Sequence, residues 1–138
     1  MKSKYGNEPQ TVEIEGQLYK FKSRAEMRYS LYLEFLRKNG DILEWSYEPE
    51  TFAWANKAGN RVLYKPDFKV LEKIGRSPCG MIEARRSWHE VKGFMDARSK
   101  AKLKGFAKHF PDEKLVLVDS GWFKRNTKKL KGLVPGWA

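Results

Sequence analysis

The sequence predicts an α/β domain. Its mixed sheet has three mainly antiparallel strands plus one parallel strand, with helices flanking it and a hairpin leading in. Three observations predict this. Apolar residues recur at helical spacing over 23–38 and again over about 97–110. Between these helices the chain is aromatic and strand-like over 41–75, and it reads as a strand again over 87–94. A continuous apolar run at 114–120 then follows the second helix. Strand, helix and strand within about thirty residues imply a right-handed crossover between parallel strands.

Taken in order, residues 1–10, "MKSKYGNEPQ", read as a mobile basic arm. "TVEIEGQLYKF" at 11–21 alternates apolar and polar on both sides of Gly16, the pattern of a hairpin turning at Glu15-Gly16. The first helix has Ala25, Tyr29, Tyr32, Leu33 and Leu36 on one face. Ser23 with Glu26 three residues on has the form of a capping box, and Gly40 ends the helix after Arg37 and Lys38. "NKAGN" at 56–60 and "RSPCG" at 76–80 mark turns. Asp96 is placed to cap the second helix, with Leu103, Phe106, Ala107 and Phe110 as its apolar side and Pro111 as its stop. The run "KLVLVDS" suits a strand buried on both faces. Residues from about 121 to 138 read as a basic tail with room for a short helix.

Composition narrows the function. The 138 residues carry 28 Lys+Arg against 17 Asp+Glu, a formal charge of +11, and 41% are hydrophobic. One domain of this length has room for one core. A field of this sign attracts polyanions, nucleic acid first among them. The single cysteine, Cys79, excludes an internal disulfide framework and a cysteine-based zinc site within one chain, and fits a reducing cytosol. His89 and His109 are too few for a histidine metal cluster. No apolar stretch reaches membrane length and no secretory leader pattern opens the chain. Metal ligands, if present, are therefore mainly carboxylates, which suit a hard cation such as Mg²⁺.

The candidate chemistry lies in two strands. Residues two apart in a strand share a face, so Glu90 and Lys92 project together while Val91 faces the core. Asp67, in "YKPDFKV", is an acid where strands disfavour one, beside a proline that strands tolerate at starts and bends. Two carboxylates holding a hard dication, with a lysine beside it, make a workable phosphodiesterase site. A surface Glu–Lys pair is the plainer reading of "EVK" alone.

These positions resemble a known signature. "YKPDF" and "HEVKGF" look like the PD-(D/E)xK nuclease motif, with Pro66, Asp67, Glu90 and Lys92 in its four named places. The order of helix, three strands, helix and strand also matches that superfamily's restriction-endonuclease-like core. "KSKYGNEPQTVEIEGQLYKFKSRAEMRYSLYL", taken with both motifs, resembles a small phage-borne family of predicted nucleases over roughly residues 2–119. The superfamily includes phage T7-type endonuclease I and other Holliday-junction resolvases. One departure is the spacing of twenty-two residues between Asp67 and Glu90, longer than in the tightest members. The insert at 72–86 would lengthen a hairpin without moving the site.

The resemblance implies a Mg²⁺-dependent DNA endonuclease, with Mn²⁺ substituting, selective for branched DNA. It further implies a homodimer working in the cytoplasm of a bacterial host. Asp67 and Glu90 would hold the metal and Lys92 would serve the attacking water. Glu26 would add the first-helix acid that such nucleases often supply, although the capping box also explains it. Arg98, Lys100, Lys102, Lys104 and Lys108 on the second helix, with Lys124 and Arg125 in the tail, are candidate DNA contacts. Trp122 and Trp137, in that basic tail, are candidate base-stacking residues, whereas Trp45, Trp54 and Trp88 read as core. Two other readings keep part of this picture: a nicking, flap or strand-specific nuclease subunit of a larger complex, and a nucleic-acid-binding adaptor without catalysis.

Overall fold

The computed structural model describes residues 8–137. Most of the expected N-terminal arm, residues 1–7, lies outside the described residues. Strands β1 (Gln10–Ile14) and β2 (Gln17–Phe21) form the expected hairpin, turning at Glu15 and Gly16, both of positive φ. Helix α1 (Arg24–Lys38) starts at Ser23, whose hydroxyl accepts the Glu26 N–H at 3.1 Å. It ends in a Schellman motif. Gly40, at φ +79°, donates to the Arg37 carbonyl and Asp41 donates to that of Leu36.

The central sheet has the order β3 (Ile42–Tyr47), β6 (Phe68–Arg76), β7 (Ile82–Lys92) and β8 (Lys114–Asp119). The first two pairings are antiparallel and β7–β8 is parallel, the mixed pattern that the sequence predicts. Between β3 and β6 the chain makes a separate two-stranded sheet, β4 (Phe52–Ala55) and β5 (Arg61–Tyr64), turning at 56–60. The insert extends the β6–β7 hairpin, whose turn lies at 77–81.

Alternation along β7 sends successive side chains to opposite faces. Val91, with Phe68, Val70 and Val118, packs under α1 against Tyr29 and Leu33. Trp88 faces the other way. It packs with Tyr64 and Phe106 beneath helix α2 (Ala97–His109) and the β4–β5 hairpin. Asp96 caps α2 by accepting the Ser99 N–H at 2.7 Å. Burying Phe106 completely stabilises this second layer by about 1.5–3 kcal/mol. Ala107, expected on the apolar side of α2, is instead exposed.

Two expectations need correction. β8 is an edge strand, and its Leu117 is 44% exposed, so the apolar run is not buried on both faces. The basic tail holds a helix, α3 (Ser120–Leu133), of fourteen residues that packs on α1, in place of a short helix or a loose arm. Asp119 caps it by accepting the Trp122 N–H at 2.9 Å. Its Leu130, together with Val134 and Trp137 beyond it, buries against Leu31, Tyr32 and Phe35 of α1. Trp137 is 6% exposed, and Trp122 packs edge-on against Tyr29 and Tyr32. Trp137 therefore serves packing, and Trp122, half-buried, engages Tyr29, Tyr32 and Phe123 with its ring. The physical reason is spacing: Trp122, Phe123, Leu130 and Val134 make one apolar stripe among the tail's lysines.

Candidate active site

Phe68 pairs with His89 across β6 and β7. One step further in that register brings Asp67, just before β6, beside Glu90. Lys92 follows two residues later on the same face. Glu26 reaches this point from the first turn of α1. All four line a single cavity of about 530 Å³ at the end of the sheet, together with Lys22, Glu48 and Tyr64. Residues far apart in the chain thus converge on one place.

The three acids are nearly sealed: Asp67 is 3% exposed, and Glu26 and Glu90 are each 6% exposed. Each is fixed by a donor. The Val91 N–H donates to Asp67 Oδ2 at 2.8 Å. The Tyr64 hydroxyl donates to Glu90 Oε1 at 2.8 Å, and the Tyr47 hydroxyl donates to Glu26 Oε1 at 2.6 Å. Lys22 Nζ stands 3.7 Å from Asp67 Oδ1 and 3.1 Å from Glu48 Oε2. Lys92 Nζ stands 3.9 Å from Glu90 Oε2.

These surroundings set the protonation. Burial, then the charges of Glu90 and Glu26, push the Asp67 carboxyl up to about 8. Burial likewise raises Glu90, against the opposing hydrogen bond from Tyr64 and the charge of Lys92. Burial alone would lower Lys22, but Asp67, Glu26 and Glu48 outweigh it and hold its ammonium above the usual range. Burial raises the Tyr64 and Tyr47 hydroxyls, reinforced by Glu90 and Glu26 respectively, so both remain donors.

Glu48 is the strained member of the group. It lies at φ +45° without being glycine, its N–H donates to the Asp67 carbonyl at 2.8 Å, and its carboxylate pairs with Lys22.

Among the described residues, no three His, Cys, Asp or Glu side chains stand close enough to hold a metal ion as they are placed. The donor chemistry nevertheless fits a hard dication. The ligands are oxygen only, two adjacent carboxylates bear a mutual repulsion that a cation relieves, and the cavity has room for water and a phosphate.

The expected nucleic-acid contacts divide. Arg98 and Lys102 line the site cavity and also an adjoining groove. Lys104 and Lys108 line that groove, while Lys100 is exposed and lines neither. Lys124 and Arg125 are exposed on α3 and also line neither. His89 lies on the opposite face, buried between the Tyr29 hydroxyl at 2.5 Å and Ser87 at 3.0 Å. Burial pulls it down to about 4, so it is neutral.

Sequence reasoning missed Lys22, Tyr47, Glu48 and Tyr64. Tyr64 stands within the quoted "YKPDF" and had a local signal. Tyr47 ends β3, while Lys22 and Glu48 are brought in by the β2–α1 and β3–β4 connections, which leave no periodic trace in the sequence.

The fold is a mixed α/β sheet with a carboxylate-lysine pocket at the ends of its strands. The chain belongs to the family described as "Protein of unknown function (DUF1064)", which matches residues 2–130. Comparison with curated proteins and with solved structures gave no match.

Proposed function

We propose that this protein is a metal-dependent DNA endonuclease of the PD-(D/E)xK type. The observation that carries the reading is the convergence of Glu26, Asp67, Glu90 and Lys92 on one cavity beside a cationic groove. Asp67 and Glu90, with Glu26, would hold Mg²⁺, and Mn²⁺ would substitute. When bound, the metal supplies an acidified water and neutralises charge on the phosphate.

The chain's own groups do the rest. Tyr64, Tyr47 and the Val91 N–H hold the three carboxylates in fixed orientations. Lys92 orients the attacking oxygen and stabilises negative charge as it develops. Lys22 offers a second cation on the other side of Asp67. The narrower part of the proposal, selectivity for branched DNA by a homodimer, is supported by the sequence resemblance. It is also supported by the need for two sites to cut two strands.

The test is incubation with linear duplex, single strands and a four-way junction, in Mg²⁺ or in chelator. Cleavage in Mg²⁺ alone, strongest on the junction, is the expected result. Cleavage of linear duplex with no preference for the junction would leave the nuclease reading and overturn the branched-DNA part. Binding without cleavage of any substrate would favour the adaptor reading.

A further inference from the structure

Beside the site cavity lies a groove of about 910 Å³ between the β4–β5 hairpin and α2. The two share Leu63, Arg98 and Lys102 in their walls. Six cations line the groove: Arg98, Lys102, Lys104 and Lys108 from α2, Lys57 from the hairpin turn and Arg61 from β5. No acid is among the described residues that line it. None of the six takes part in an ion pair among the described residues, although Arg98 lies near enough to Asp96 for the two charges to act on each other. Six like charges in one trough repel each other, and a polyanion lying along it relieves that repulsion.

The groove also has an aromatic wall. Trp54 of β4 is half-buried in it, with its indole stacked on His109 at 5.8 Å between centroids. The indole is seated directly on the α2 backbone. A Cβ added at Gly105 would meet it at 2.7 Å, so only glycine leaves room for it there. Cations that follow a phosphate backbone beside an aromatic face are the two parts of a single-strand site.

We infer that the β4–β5 hairpin and α2 form a binding groove for an unpaired nucleic-acid strand that leads its scissile phosphate into the site. Lys57 and Arg61 hold phosphates opposite those held by Lys104 and Lys108, and Trp54 stacks a base. This rests on the nuclease reading and deepens it: a need for an unpaired flank gives a physical reason for preferring branched over fully paired DNA.

The test measures binding of a labelled oligothymidylate of about twenty nucleotides, long enough for one such site, and of a blunt duplex of equal length. Both are titrated in chelator across a range of salt. Lys57→Ala with Arg61→Ala removes two exposed side chains from the hairpin without touching the core. Lys20→Ala with Lys73→Ala removes two exposed charges that line neither cavity. The expected result is tighter binding of the single strand than of the duplex. The hairpin variant should bind the single strand at least tenfold more weakly, with a salt slope shallower by about 1.4 for two lost contacts. The control variant should stay within about twofold, since it loses only diffuse attraction. Equal losses in the two variants, or equal affinity for duplex and single strand, would overturn the inference.

Cleavage in Mg²⁺ is scored separately on the same preparations. A groove that binds as described in a protein that never cuts would leave the single-strand groove standing, but would remove the nuclease reading and with it the delivery of a scissile phosphate. A protein that cuts, with binding unchanged in the hairpin variant, would do the reverse.

Discussion

Asp67 Oδ2 accepts the backbone N–H of Val91 at 2.8 Å, so a side chain takes the place of a ladder bond where β6 begins. That bond fixes the carboxylate beside Glu90 and keeps it out of water. The same placement makes Asp67 costly to ionise while no cation is bound.

Stability without divalent metal should therefore fall with rising pH. Asp67 loses its proton near pH 4 when unfolded and near pH 8 when folded. Between those values the folded chain holds a proton that the unfolded chain does not. The stabilisation is complete below about pH 4 and is lost as pH rises to about 8. The loss is on the order of a few kcal/mol, or about 4 °C of Tm for each kcal/mol. Asp67→Asn keeps an acceptor for Val91 and removes the charge, so its melting curve should be flatter over this range and higher at pH 8. An unchanged pH slope would show that Asp67 is not the titrating group.

Protons and a dication compete for the same carboxylates. The Mg²⁺ concentration giving half-maximal cleavage should fall by up to about tenfold per pH unit between pH 6 and 8, then level off. A requirement independent of pH across that range would mean that the metal does not displace the proton from Asp67.

Glu26 has two roles that substitution separates. The cap uses its backbone N–H and the Ser23 hydroxyl, while its carboxylate faces the cavity and Tyr47. Ser23→Ala should cost about 1 kcal/mol and leave the cleavage rate within a few-fold. Glu26→Gln should cut cleavage by about 10²-fold or more with Tm maintained. The opposite pattern would return Glu26 to a capping role.

Trp137 tests the docking of the C-terminal helix. Trp137→Ala should destabilise the whole domain by about 3–5 kcal/mol, read from urea unfolding. A change below about 1 kcal/mol would mean that α3 contributes little to the core.

Much of this was legible in the sequence because the relevant signals are periodic or local. The α1 face, the caps at Ser23 and Asp96, the β1–β2 turn and the same-face pair Glu90 and Lys92 all follow from spacing. Burial depends on what the rest of the chain places against a segment, and there the reading failed. β8 looks like a central strand but nothing pairs with its outer edge among the described residues, and the lysine-rich tail hides an apolar stripe that α1 covers. The site's supporting residues were invisible for a related reason. Lys22 and Glu48 come from connections, and the positive φ of Glu48 has no marker in residue type.

The most direct test of the central claim is the single-turnover cleavage rate in Mg²⁺ of Asp67→Ala and Lys92→Ala against the unaltered protein, with affinity measured in chelator. If these side chains form one phosphodiesterase centre, each variant should lose about 10²–10⁴-fold in rate while binding nucleic acid as before. Rates within a few-fold of the unaltered protein would contradict that centre.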